Sequence, residues 1–183
     1  MILNEREIRR EHVLQIARQM MTAARTAPKG KGVDIIEIAL VTDEDIKRLS
    51  EEMLVVAEEK GLKFFFRDAD NILQAEAVIL IGTRQHTHGL NCAHCGFNTC
   101  AEKPETIPCA INTVDVGIAV GSACATAADL RVDTRVMFSA GFAAQCLGYL
   151  DSCKCLMAIP ISATTKNPFF DRKPKESIQP EAR

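Results

Sequence analysis

Ala77-Val78-Ile79-Leu80-Ile81-Gly82 runs without a single polar side chain, and ten residues past its end the chain enters Cys92-Ala93-His94-Cys95-Gly96-Phe97-Asn98-Thr99-Cys100. The first stretch is an unbroken β-branched and aliphatic run, which predicts a strand buried on both faces of a sheet. The second continues through Pro104 and Pro108 to Cys109, and its Gly, Pro and polar content suits a loop. A rigid strand that delivers a thiol-rich loop makes a good frame for a ligand, because the sheet holds the place where the backbone turns around it.

The spacing is Cys92-x2-Cys95-x4-Cys100-x8-Cys109. The first three thiols can surround one side of an inorganic cluster, and the longer connection returns Cys109 as a fourth ligand. Thiolates are soft donors that suit iron through its changes of oxidation state, which points to a [4Fe-4S] cluster. Gly96 can bring backbone N–H groups close to the cluster sulfurs. Four protein ligands leave no open iron, so the chemistry indicated is electron transfer. Zinc is the alternative metal, since four thiolates also complete a tetrahedron, with His94 as a substitute ligand. The ordinary role of His94 is a hydrogen bond within the loop; His86 and His88 upstream could ligate a metal or move protons, but isolated histidines have several uses and this is the lesser reading for them. Cys124, Cys146, Cys153 and Cys155 are scattered over predicted helices and a strand, the distribution of packed core thiols.

The rest of the chain reads as one domain over residues 1–183, with 86–110 as an inserted iron–sulfur, ferredoxin-like loop. Its 183 residues are 47% hydrophobic, enough for a substantial core. A formal charge of −2, from 22 basic and 24 acidic residues, argues against an extended nucleic-acid or membrane-binding surface. Charge interrupts the apolar start at Asn4-Glu5-Arg6-Glu7, so no signal peptide is expected there, and the eight cysteines are expected to be reduced, in the cytoplasm.

Asn4 and Glu7 predict a reciprocal cap for a first helix whose apolar face is Val13, Ile16, Ala17, Met20 and Ala24, ending before Pro28. Ile35–Val41 predicts a strand. Thr42 with Asp45 predicts the cap of a second helix with a buried stripe at Ile46, Leu49, Met53, Val56 and Ala57. Leu62 and Phe64–Phe66 predict either a short strand or an aromatic core plug. Val114–Leu130 and Val136–Leu147 predict two small-residue helices packed as a hairpin, and Cys155–Ile159 a strand that stops before Pro160. The tail Asn167–Pro174 mixes Phe, Pro and charge, as in a segment that wraps a partner subunit or stays loose.

Arg25, Lys29 and Lys31 gather beside Gly30 and Gly32. Such donors fit a phosphate, and they equally fit a solvated turn; the pattern is not a P-loop.

Over nearly its full length the chain resembles a bacterial and archaeal family of proteins containing a ferredoxin domain. The resemblance is carried by Asn91–Cys100, by Asp115-Val116-Gly117-Ile118-Ala119-Val120-Gly121-Ser122-Ala123 and by the Asn167–Arg172 tail. Cys-x2-Cys-Gly-x2-Thr-Cys also resembles the cluster module of corrinoid iron–sulfur proteins, which implies [4Fe-4S] ligation by Cys92, Cys95 and Cys100. The interval to Cys109 is shorter than in that module. A further resemblance is to FMN-dependent nitroreductases, through Ala23-Ala24-Arg25-Thr26-Ala27-Pro28 and Asp115–Ala119. It implies an α+β fold, with a nitroreductase-like mixed sheet, packed helices and the cysteine-rich metal-binding loop as an insertion. It also implies a homodimer with flavin between subunits, and an FMN phosphate near Arg25, Lys29 and Arg172, which Lys31 of the basic turn would join. Lys29-Gly30-Lys31-Gly32 departs from that family, which has Ser, Asn or Gln followed by Pro-Trp there. Together these readings predict an iron–sulfur protein passing electrons between its cluster and FMN and on to a small acceptor or redox protein partner. The alternatives are a flavin-free carrier or assembly component and a zinc-stabilised interaction protein.

Overall fold

The computed structural model describes residues 1–172. In chain order the elements are α1 (Glu5–Thr26), β1 (Ile36–Val41), α2 (Glu44–Lys60), α3 (Phe64–Ile72), β2 (Ala77–Arg84), α4 (Ala110–Asp129), β3 (Asp133–Thr134), α5 (Phe138–Cys146) and β4 (Cys153–Ser162). Single 3-10 turns lie at Gly30–Gly32 and Pro168–Phe170.

The four strands form one sheet in the order β1-β2-β4-β3, and each pairing is antiparallel where the resemblance implied a mixed sheet. Between β1 and β2 the chain goes out along α2 and returns along α3. The next strand therefore starts at the end where the last one stopped.

Helices cover both faces of the sheet. Val78 and Leu80 of β2 face a core shared with α2, α3 and α5, whereas Ala77, Ile79 and Ile81 face a second core shared with α1 and α4. All five are fully buried, which is why this strand shows no polar alternation. Each large aliphatic side chain so buried contributes about 1.5–3 kcal/mol of transfer free energy.

Several local expectations are met through different contacts. Asn4 Oδ1 caps α1 by accepting the Arg6 N–H at 3.1 Å, while Glu7 engages through its own N–H, donating to the Asn4 carbonyl at 3.0 Å. The α2 cap falls on Asp43, at φ 55°, and the expected stripe from Ile46 to Ala57 is buried. Phe64–Phe66 begin α3, and only Phe65 enters the core; the other two are more than a third exposed.

The expected helical hairpin does not form, because α4 packs with α1 on one side of the sheet and α5 with α2 and α3 on the other. Small residues permitted close packing in both helices without specifying its partner. Gly141 of α5 lies so close to β4 that a Cβ there would stand 2.1 Å from the Leu156 carbonyl oxygen. Strand β4 also runs through Pro160. Ala158 donates its N–H to Met137 at 3.1 Å, and two residues on Pro160 presents its nitrogen to the same edge, where the ladder is interrupted after Thr134, so no donor is missed.

The tail is tied to its own chain as far as Asp171. Phe169 is fully buried, its carbonyl accepts from Asn71 Nδ2 at 3.0 Å and Arg135 Nη1 at 2.9 Å, and Asn71 Nδ2 also reaches the Asp171 carbonyl at 3.3 Å. Lys173 and Pro174 lie outside the described residues.

Candidate metal centre

Residues 85–109 join β2 to α4 without a helix or strand. Four left-handed residues fold this loop back on itself: Gly89 at φ 68°, Asn91 at φ 47°, Ala93 at φ 58° and Gly96 at φ 90°. Glycine takes this region freely and asparagine tolerates it, whereas Ala93 is held there at a cost of about 1–2 kcal/mol. The turn closes with the Gly96 N–H donating to the Ala93 carbonyl at 2.9 Å. Asn91 and Cys100 clasp each other: the Cys100 N–H donates to Asn91 Oδ1 at 2.8 Å, and the Asn91 N–H approaches Cys100 Sγ at 3.4 Å. His94 Nδ1 donates to the Cys92 carbonyl at 2.9 Å, the loop role anticipated for it. Lys103 Nζ holds the far limb through the Pro104 and Ile107 carbonyls at 3.0 and 2.6 Å.

Cys92, Cys95, Cys100 and Cys109 all line one pocket, whose walls include Leu90 and Phe97. Cys109 is buried and the other three are half-buried. Cys109 is also the N-cap of the 20-residue helix α4, with no side-chain capping bond, so its sulfur stands at the positive end of a helix dipole.

This donor set fits an iron–sulfur cluster. The four cysteines line a shared pocket with soft thiol donors, although among the described residues no three His, Cys, Asp or Glu side chains are already gathered around one ion position. The lining also contains an orphan: His88 is buried, and among the described residues neither ring nitrogen has a hydrogen-bond partner.

The four basic residues expected at a flavin phosphate do not meet within one chain. Arg25 Nη1 pairs with Asp34 at 2.8 Å and donates to the Ile36 carbonyl at 2.6 Å. Burial would raise the pKa of Asp34, but the bond and charge of Arg25, with the charge of Lys29 and the Ile36 N–H, hold it below the usual value. Lys29 Nζ donates to the Ala24, Arg25 and Ala27 carbonyls at the end of α1, and Lys31 Nζ donates to the His88 carbonyl at 2.9 Å. Arg172 sits beyond α3, in a separate pocket with Lys63 and Arg67. A flavin phosphate held by all four is therefore not formed by one copy of the chain.

Beside the loop opens a polar cleft of about 350 Å³ whose lining includes Arg84, His86, Lys103, Lys154, Cys109 and Asn112. The remaining cysteines have a different character. Burial comes first in raising the pKa of Cys124, Cys146, Cys153 and Cys155, with Glu52 adding to the effect at Cys146, so these thiols stay protonated.

Two buried polar residues of α4 escaped the sequence reading as site residues: Asp115, present there only in a motif stretch, accepts the Gly30 N–H, and Asn112, not singled out, donates from Nδ2 to the His86 carbonyl at 2.7 Å. Both interrupt the apolar face of α4, a signal that could have marked them.

The fold is nitroreductase-like. The chain superposes on a nitroreductase from Bacteroides fragilis solved with bound FMN, with a TM-score of 0.59 over 92% of this chain and 85% of that one, at 10% identity. It matches a BluB-like flavoprotein from Clostridium difficile with a TM-score of 0.58 over 88% and 84% of the two chains, at 13% identity. In sequence, 96% of the chain aligns with the whole of an uncharacterized protein from Archaeoglobus fulgidus at 42% identity. Residues 105–172 match the family described as "Uncharacterized protein containing a ferredoxin domain (DUF2148)", and the chain belongs to that family.

Proposed function

We propose that this protein is a cytoplasmic iron–sulfur electron-transfer protein whose [4Fe-4S] cluster is held by Cys92, Cys95, Cys100 and Cys109. The observation that carries the reading is the single pocket lined by all four thiols at the N-terminus of α4. A bound cluster supplies one-electron exchange. The chain supplies four sulfur donors, the α4 dipole that favours their anionic form, and an apolar wall that limits water. Around Cys109, Arg84, Lys103 and Lys154 line an open cleft, a cationic rim suited to an acidic redox partner.

A homodimer is part of this proposal. The outer face of α4 exposes Val114, Gly117, Ile118, Gly121, Ala125 and Ala128, a stripe without charge over the length of the helix. Helix α4 is long and apolar enough to cross a membrane by length and composition, but its inner face is taken by α1 and the sheet, which leaves this stripe for a second copy. A second functional reading, FMN bound between the two copies, is favoured by the likeness to FMN-bound nitroreductases. In that reading basic residues of both copies would have to combine, because those of one copy lie apart.

Anaerobic purification with iron, acid-labile sulfide, zinc and flavin measured on one sample tests these readings. About four iron and four sulfide per chain, with visible absorption bleached by dithionite, are expected. Co-extracted FMN would add the flavin reading; stoichiometric zinc without sulfide would overturn the redox one.

A further inference from the structure

The electron-transfer reading leaves one buried pair unused. The side chains of His88 and Asp115 are 1% and 3% exposed, with Nε2 and Oδ2 3.6 Å apart. Both carboxylate oxygens of Asp115 accept the Gly30 N–H, at 3.0 and 3.1 Å. One amide N–H leaves much of the hydrogen-bonding capacity of a carboxylate at this depth unmet, and the imidazole is the polar group that faces it.

The position of His88 is tightly specified. Lys31 Nζ holds its carbonyl at 2.9 Å, and Asn112 Nδ2 holds the carbonyl of His86 at 2.7 Å. Gly30 completes the arrangement, since a Cβ there would meet Ile111 Cγ2 at 2.8 Å and His88 Nε2 at 3.3 Å. Nε2 is turned toward Asp115, and Nδ1 has no hydrogen-bond partner among the described residues. His88 lines the same pocket as the four candidate thiolate ligands. Cluster sulfurs are acceptors, and hydrogen bonds to them help set the reduction potential.

We propose that His88, oriented by Asp115, donates Nδ1–H to the sulfur face of the cluster and raises its reduction potential. This inference rests on the iron–sulfur reading and assigns both side chains as positioning residues. A donated hydrogen bond stabilises the more negative, reduced state, so its removal lowers the potential.

The test is the midpoint potential of anaerobically purified protein, followed optically, with iron and sulfide quantified in every sample. His88→Phe is expected to shift the reduction equilibrium about tenfold toward the oxidised state, 59 mV for one electron. His88→Gln keeps an N–H donor and is expected to recover part of that shift, whereas Asp115→Asn moves the potential in the same direction as His88→Phe. An unchanged potential in His88→Phe at wild-type cluster content would overturn the proposal. If His88→Phe loses iron, Asp115→Asn decides, and an unchanged potential there also overturns it. Loss of iron from all three variants would make His88 a residue that holds the centre, against the tuning role. Absence of iron and sulfide from the wild type is a separate failure, that of the cluster itself.

Discussion

At the scale of single residues, Cys109 is both a candidate ligand and the N-cap of α4, and one substitution separates the two roles. Serine is a good N-cap, worth about 1 kcal/mol over a residue that makes no capping bond. Cys109→Ser is therefore expected to keep or slightly raise thermal stability in the metal-free protein while bound iron falls; iron content beside a thermal melt checks both. Asp34 supplies a pH prediction. Its folded pKa is depressed despite burial, chiefly by Arg25, so the ion pair stabilises the fold above the carboxyl's unfolded pKa. That contribution disappears as pH falls through the lower folded value. Both partners are over a third exposed, so the effect is modest; Asp34→Asn should lower stability slightly near neutrality and leave it unchanged at pH below the folded value, flattening the acid limb of a stability–pH curve.

At the scale of elements, α5 and the tail show how side chains of opposite size secure the layers. Gly141→Ala forces a methyl against the β4 backbone, where no rotamer change can relieve the contact. A loss of about 2–3 kcal/mol is expected, read as a lowered denaturant midpoint with little change in slope. The Pro168–Phe170 turn depends on buried Asp68, which accepts from Ser139 Oγ at 2.6 Å and from Arg135 Nη1 at 3.0 Å. Asp68→Ala strands those donors and is expected to cost about 3 kcal/mol, with faster hydrogen exchange in the tail as the local sign. The strand signals were legible because each element's period is a local property. The hairpin expectation failed because a small-residue helix packs closely against any flat partner, and the 130–137 connection enters the sheet at β3, which let α4 and α5 take opposite faces. Phe64–Phe66 were misread for a related reason, since three adjacent rings cannot all face one core from a helix.

For the whole molecule, the uncharged stripe on α4 carries the assembly prediction. Ile118→Glu, at an exposed position, is expected to leave the monomer's circular dichroism unchanged and to convert a dimer into a monomer by analytical ultracentrifugation. A monomeric wild type would remove the second copy and with it the inter-subunit flavin reading, leaving the cluster proposal intact.

The sequence by itself determined the buried strand, the helical faces and the thiol spacing, because hydrophobic period and cysteine chemistry are written in neighbouring residues. It also showed the family, through stretches whose meaning does not depend on what they touch. Only the tertiary structure decided that Arg25, Lys29 and Lys31 are engaged by carboxylate and carbonyl groups of their own chain, since free and internally paired cations look alike in a one-dimensional string. It alone brought Gly30, His88 and Asp115 together behind the cysteine pocket: their sequence separations of 57 and 85 residues from the 30s turn close only when α1 and α4 pack side by side on the sheet.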